Sequence, residues 1–199
     1  MSTRSFRVLM VAGAFLTGLI LCFAVILLVS GRLSAPSVSQ VASIGGPFSL
    51  TDQNGHTVTD RDLKGKPFLA FFGFTHCPDV CPTALFEVSE IMRALGPDAD
   101  RIRVFFISVD PERDTPALLK DYLSSFDPHL SALTGDLASI AAVAKAYRVY
   151  YKKVPLAEGD YTMDHTAIVY LMNKDGRFVS PFNIKRPPDV AAADLRKYF

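Results

Sequence analysis

The sequence predicts an α/β domain of three layers carried behind a long apolar helix. Three observations point there. Residues 8–30 hold no charged side chain. The continuous apolar run 68–74 and the largely apolar stretch 102–109 have the length and β-branched and aromatic content of strands buried on both faces. Around them lie segments with helical apolar spacing and helix-start signals. Strands that alternate with helices and close with a hairpin pack as one sheet between helical layers.

Taken in order, residues 8–30 are long enough as a helix, at ~1.5 Å per residue, to cross a hydrocarbon core of ~30 Å. They exceed the ~7–15 residues of a signal h-region and show no polar face. They read as an uncleaved transmembrane anchor, after a cytoplasmic stretch 1–7. Cys22 lies inside this block behind Leu21, where a lipidation signal needs a small residue, so it reads as an apolar membrane residue. Arg4 and Arg7 precede the block and Arg32 follows it, a bias that places the bulk of the chain outside the cytoplasm. Residues 31–46, rich in Ser, Ala and Gly, form a linker, and the folded domain covers 47–199.

Within that domain, 48–50 and 56–58 form a hairpin about Asn54-Gly55. Residues 68–74 are a buried strand. Leu85, Val88, Met92 and Leu95 mark a helix from Pro82, ended by Gly96-Pro97. Residues 102–109 are a second buried strand. Asp114-Thr115-Pro116 opens a helix to about Phe126. A short strand at 130–133 and a helix at 136–147 follow. Strands at 166–172 and 177–181 flank the turn Asn173-Lys174-Asp175-Gly176, and 187–199 is a terminal helix. This order matches a thioredoxin-like fold with an insertion over 134–164.

Composition excludes little but decides one point. A net charge of +1 leaves no electrostatic footprint for nucleic acid, and none is expected as a partner. The chemistry concentrates at Cys77-Pro78-Asp79-Val80-Cys81-Pro82, which holds two of the three cysteines. Two thiols this close can ligate a soft metal, form a disulfide, or alternate between the two. In an oxidising compartment the pair is chemical rather than structural, since so short a loop gives little entropic stabilisation. Pro82 fits the first turn of a helix, so Cys81 falls near the cap. Cys77, before a proline, is extended. Amide N–H groups and the helix dipole there favour thiolate, the form that both attacks and ligates.

A third, nitrogen ligand would complete a trigonal soft-metal site. His56 and His129 read as loop residues. His76 neighbours Cys77 but points the other way on an extended segment. His165, just before a strand expected beside the first helix's N-terminus, is the best placed. By itself a lone histidine there is more often structural.

Residues 73–82, Gly-Phe-Thr-His-Cys-Pro-Asp-Val-Cys-Pro, resemble the signature of the Sco/SenC family. Asp110-Pro-Glu-Arg-Asp-Thr-Pro116 and Asp164-His165-Thr166 resemble two further segments of that family. The resemblance covers about 47–199. It implies a thioredoxin-like fold, copper, as Cu(I) and possibly Cu(II), bound by Cys77, Cys81 and His165, and delivery to the dinuclear copper site of cytochrome c oxidase. It implies as partners the copper-bearing oxidase subunit and an upstream copper donor or thiol reductant. With no Arg/Ser-rich leader, the expected location is a bacterial inner membrane, with the domain in the periplasm.

Two other functions fit the same pair. A thiol–disulfide reductase would use Cys77 and Cys81 as its redox couple, although the three-residue gap differs from the usual two. A peroxiredoxin-like enzyme would need a proline and a threonine where Ala70 and Phe74 stand. Asp79 reads as a cap or a tuner of the thiolates and Met163 as filler, while adjacency alone is a weak argument for Asp164 as the acceptor that orients His165. Asp110, Glu112, Arg113 and Asp114 read as a solvated, cap-rich loop.

Overall fold

The computed structural model describes residues 3–32 and 44–199. Contacts divide the chain into two units, Met1–Ala42 and Ser43–Phe199. The first is the helix α1 (Thr3–Arg32), whose side chains are described at residue 10 and over 13–28, all exposed. Among the described residues no helix is long and apolar enough to cross a membrane. The anchor expected over 8–30 is therefore taken up below as a proposal. Residues 33–43, most of the expected linker, lie outside the described residues, as do residues 1 and 2 of the N-terminal stretch.

The second unit is built on a seven-stranded sheet in the order β2-β1-β5-β4-β3-β8-β9. The hairpin β1 (Ser49–Asp52) and β2 (Thr57–Thr59) forms about the expected turn, where Gly55 takes φ +86° and donates to the Asp52 carbonyl at 3.0 Å. A left-handed φ is cheap for glycine alone, which is why Asn-Gly marks such turns. At the centre, β3 (Phe68–Gly73) runs parallel to β4 (Arg103–Ser108), which runs parallel to β5 (Leu130–Thr134). Every residue of β3 is buried, as a strand covered on both faces requires.

Helices supply that cover. α2 (Val80–Leu95) buries Cys81, Ala84, Leu85, Val88, Ile91, Met92 and Leu95. The spacing is that of one helical face. α3 (Pro116–Leu123) starts with proline in its first turn, capped by the Thr115 hydroxyl, which accepts from Leu118 N–H at 3.3 Å. It ends three residues before the expected Phe126, where the Ser124 hydroxyl turns back to the Asp121 carbonyl at 2.6 Å. α4 (Leu137–Tyr147) is capped by Asp136, and α5 (Pro188–Leu195) packs on α2. The C-terminal strands β8 (Val169–Met172) and β9 (Phe178–Pro181) form the expected hairpin, β8 antiparallel to β3.

The insertion holds the main departure. Residues 151–165 fold as a separate two-stranded sheet, β6 (Tyr151–Pro155) with β7 (Tyr161–His165). The strand expected over 166–172 is shortened for this reason: His165 ends β7, and the sheet strand begins only at Val169. Ring stacking joins the layers, with Phe72, Tyr147 and Tyr170 packed mutually at centroid distances of 5.4–6.0 Å.

Candidate metal centre

The two cysteines sit at the junction of β3 and α2. The chain leaves β3 at Gly73, passes Thr75 and His76, and enters α2 at Val80, with Asp79 at the cap position. Pro82 is the third residue of the helix, where a missing N–H costs nothing. Cys81 therefore lies inside the first turn, two residues past the Asp79 cap. Its Sγ is fully buried beneath the turn, whereas Cys77 is half-buried at the mouth. The pair is unbridged.

His165 arrives from the other side. As the last residue of β7, paired with Tyr151, it faces Cys81 with its Nε2 3.6 Å from that Sγ. Its ring packs edge-on against Phe74 at 5.7 Å and against Phe71 at 6.4 Å. The ligand atoms of Cys77, Cys81 and His165 all lie within 4.8 Å of one another. Nδ1 of His165 faces the Thr166 carbonyl at 3.2 Å. A proton held there fixes the tautomer that leaves Nε2 with a free lone pair toward the sulfurs. Two thiols and one imidazole form a soft donor set, suited to a cuprous or similar ion and poor for hard cations.

The electrostatics divide the two thiols. The Cys81 N–H donates to Cys77 Sγ at 3.3 Å, a contact the helix start makes to the outer sulfur alone. Burial pushes the Cys81 thiol well above its ordinary range, with a backbone N–H of Phe74 opposing weakly. The expectation that the helix start favours thiolate at Cys81 is thus corrected, because desolvation outweighs the dipole at a fully buried sulfur. Burial also lowers the His165 pKa, against opposing effects of the Thr166 carbonyl and Asp164, and so keeps the ring neutral and able to ligate.

The other candidates fall away from this point. His76 is exposed and meets only the Thr75 hydroxyl, at 3.0 Å. Asp79 is exposed and accepts from the Thr83 hydroxyl at 3.3 Å. Asp164 points outward, and the group that orients His165 is the Thr166 carbonyl. Met163 is buried as filler. His56 pairs with Asp52, and His129 with Asp127. The turn after β4 is not solvated as expected: Asp110 and Asp114 are 2 % and 0 % exposed. Beside the nearby Arg113 and Ser108, their partners are Tyr161 and Thr75, distant in sequence, and no local pattern signals those contacts. Gly73 also belongs to the site, since a Cβ there would stand 2.8 Å from Cys81 Sγ.

Fold and site together define a thioredoxin-like protein with a preformed soft-metal donor set between a strand–helix junction and an inserted hairpin. The family model described as SCO1/SenC matches residues 36–199, and the chain belongs to this family. It is 44% identical over 157 residues to the mitochondrial protein SCO1 homolog of Homo sapiens, covering 75% of this chain and 51% of that one. It thus spans about half the length of the curated relatives it matches first. The copper-bound structure of Bradyrhizobium japonicum ScoI is similar at 70% identity and a TM-score of 0.78, over 79% of this chain and 100% of that one. A structure of BsSco is similar at 28% identity and a TM-score of 0.63, over 79% of this chain and 94% of that one. It is described by a disulfide switch and as a member of the Sco family of cytochrome c oxidase assembly proteins.

Proposed function

We propose that this protein is a membrane-anchored copper chaperone. It holds copper through Cys77, Cys81 and His165 and passes it to the dinuclear copper site of cytochrome c oxidase. The convergence of two sulfurs and one imidazole nitrogen within 4.8 Å carries this reading. The copper-bound relative and the assembly role stated for BsSco support it. Copper is cargo here, so the site has to release it as well as bind it. Cys77, at the mouth, is the ligand an acceptor thiol can replace first. Cys81, fully buried, and His165 keep the ion until the acceptor has two donors in place. The helix over 8–30 anchors the chain in a bacterial inner membrane with the domain in the periplasm, as its uncharged composition supports.

Titration of the reduced protein with Cu(I) against a chromogenic chelator tests the site. One equivalent is expected to bind, and Cys77→Ser, Cys81→Ser and His165→Ala are each expected to lose it at the same chelator concentration. Wild-type binding in His165→Ala removes the histidine from the site.

A second role rests on the same two thiols. Cys77 and Cys81, four positions apart on a helix start, are candidates for a reversible disulfide, as in the switch described for BsSco. A midpoint potential well above that of the recipient's cysteines would exclude a reductant role and leave copper delivery alone.

A further inference from the structure

The turn between β4 and α3 reaches both halves of the site without touching any of the three proposed ligands. Asp114, fully buried, accepts three donors. The Thr75 hydroxyl lies at 2.6 Å, the Thr75 N–H at 3.1 Å and the Ser108 hydroxyl at 2.6 Å. Thr75 is two residues before Cys77, so Asp114 holds the segment that presents the outer sulfur. Ser108 in turn accepts from Asp110 N–H at 3.0 Å, which locks the turn to the end of β4.

The same turn grips the opposite half. Asp110 accepts from the Tyr161 hydroxyl at 2.8 Å and pairs with Arg113 Nε. Arg113 donates from Nη1 to the Tyr161 carbonyl at 2.9 Å, and its guanidinium lies 3.7 Å above the Tyr161 ring. It also lies 5.9 Å from the Phe74 ring, the ring that meets His165 edge-on. The second Nη of Arg113 is buried without a hydrogen-bond partner, which stacking between two aromatic faces accounts for. Tyr161 opens β7, the strand that His165 ends.

We infer that residues 110–114 form a positioning device that sets the separation of the Cys77 segment from the His165 strand, through Asp114–Thr75 on one side and Asp110–Arg113–Tyr161 on the other. This deepens the copper reading above and rests on it. The physical reason is that no strand pairing ties the two halves, which otherwise meet through the His165 ring against Phe74 and Phe71. β6 and β7 pair only with each other and not with the main sheet, and residues 74–79 belong to no strand or helix. Buried carboxylates with several donors are costly to build, and they hold a geometry only when fully satisfied, as Asp114 is. Groups that orient ligands at one remove from a metal are worth about 10- to 100-fold in affinity.

The test uses the full chain with two changes that preserve shape. Thr75→Val removes one hydroxyl bond to Asp114 and keeps the N–H bond. Tyr161→Phe removes the bond to Asp110 and keeps the ring under Arg113. Thr75→Ser is the conservative rescue. Cu(I) affinity, the sulfur-to-Cu(II) absorption bands and hydrogen exchange of the apo 75–77 amides are read well below each variant's melting temperature. Expected are affinity losses of about 10-fold or more for Thr75→Val and Tyr161→Phe with shifted bands. Faster exchange at 75–77 is expected for Thr75→Val, and wild-type values for Thr75→Ser. Because both bonds serve one separation, the double change is expected to cost less than the sum of the two. Wild-type affinity and bands in both variants, whatever their melting temperatures, would overturn the inference. If Cys77→Ser and Cys81→Ser also bind copper normally, the copper reading itself has failed. If they lose it while Thr75→Val and Tyr161→Phe do not, only the positioning role has.

Discussion

Cys77 and Cys81 are the same residue type four positions apart, yet they are chemically unlike. Cys77 is half-buried and receives an N–H at the helix start, while Cys81 is enclosed and held as a thiol by desolvation. Copper binding has to release the Cys81 proton. Affinity is then expected to rise with pH through neutrality, by about tenfold per unit for each proton released. His165 adds no opposing slope near neutrality. Its lowered pKa means that protons compete for Nε2 only below the ordinary histidine value of ~6.5. Chelator competition near pH 6 and pH 8 would check this, and equal affinities would contradict it. The two thiols were legible in the sequence by residue type and spacing, and His165 through the family resemblance. The inequality of the two thiols was not, since it depends on which sulfur the strand–helix junction covers.

At the level of elements, the site exists because β3 delivers Cys77 and α2 against a neighbouring strand with almost no clearance. Gly73, the last residue of β3, allows this approach: a Cβ there would lie 2.6 Å from the Phe106 ring and 2.8 Å from Cys81 Sγ. Gly73→Ala is therefore expected to displace the inner sulfur. The predicted result is at least a tenfold loss of copper affinity together with a lower melting temperature, the cost of overpacking being about 1–3 kcal/mol. Unchanged binding would show that the junction has slack. Strands β3, β4 and β5 and helices α2, α3 and α4 were readable from apolar runs and cap residues. The β6–β7 hairpin was not. Tyr-Lys-Lys-Val-Pro at 151–155 lies on a small sheet with mostly exposed side chains, so no buried face imposes an alternating pattern. Asp110 and Asp114 misled for a related reason. Acids followed by proline and threonine look like exposed caps, and partners 51 and 39 residues away help to make them interior groups.

For the whole molecule, the chain combines a 30-residue N-terminal helix with a globular unit that carries its own core. If the helix is an anchor, the full chain is expected in the membrane fraction and resistant to alkaline extraction. A chain of residues 44–199 is expected in the soluble fraction with the same Cu(I) affinity. Full-length protein released by alkali alone would contradict the anchor, and lost affinity in the shorter chain would contradict the autonomy of the site. The sequence by itself determined the α/β class and the strand–helix junction that bears the two cysteines, while His165 took its place as a candidate ligand through the family resemblance. The class and the junction follow from local signals: apolar periodicity, proline and cap positions, and the spacing of two thiols. The tertiary structure alone decided which thiol is buried, which carbonyl orients His165, and which turn ties the two halves together. Those depend on burial and on contacts between residues far apart in the chain, and desolvation and long-range hydrogen bonds leave no periodic trace in the residues that make them.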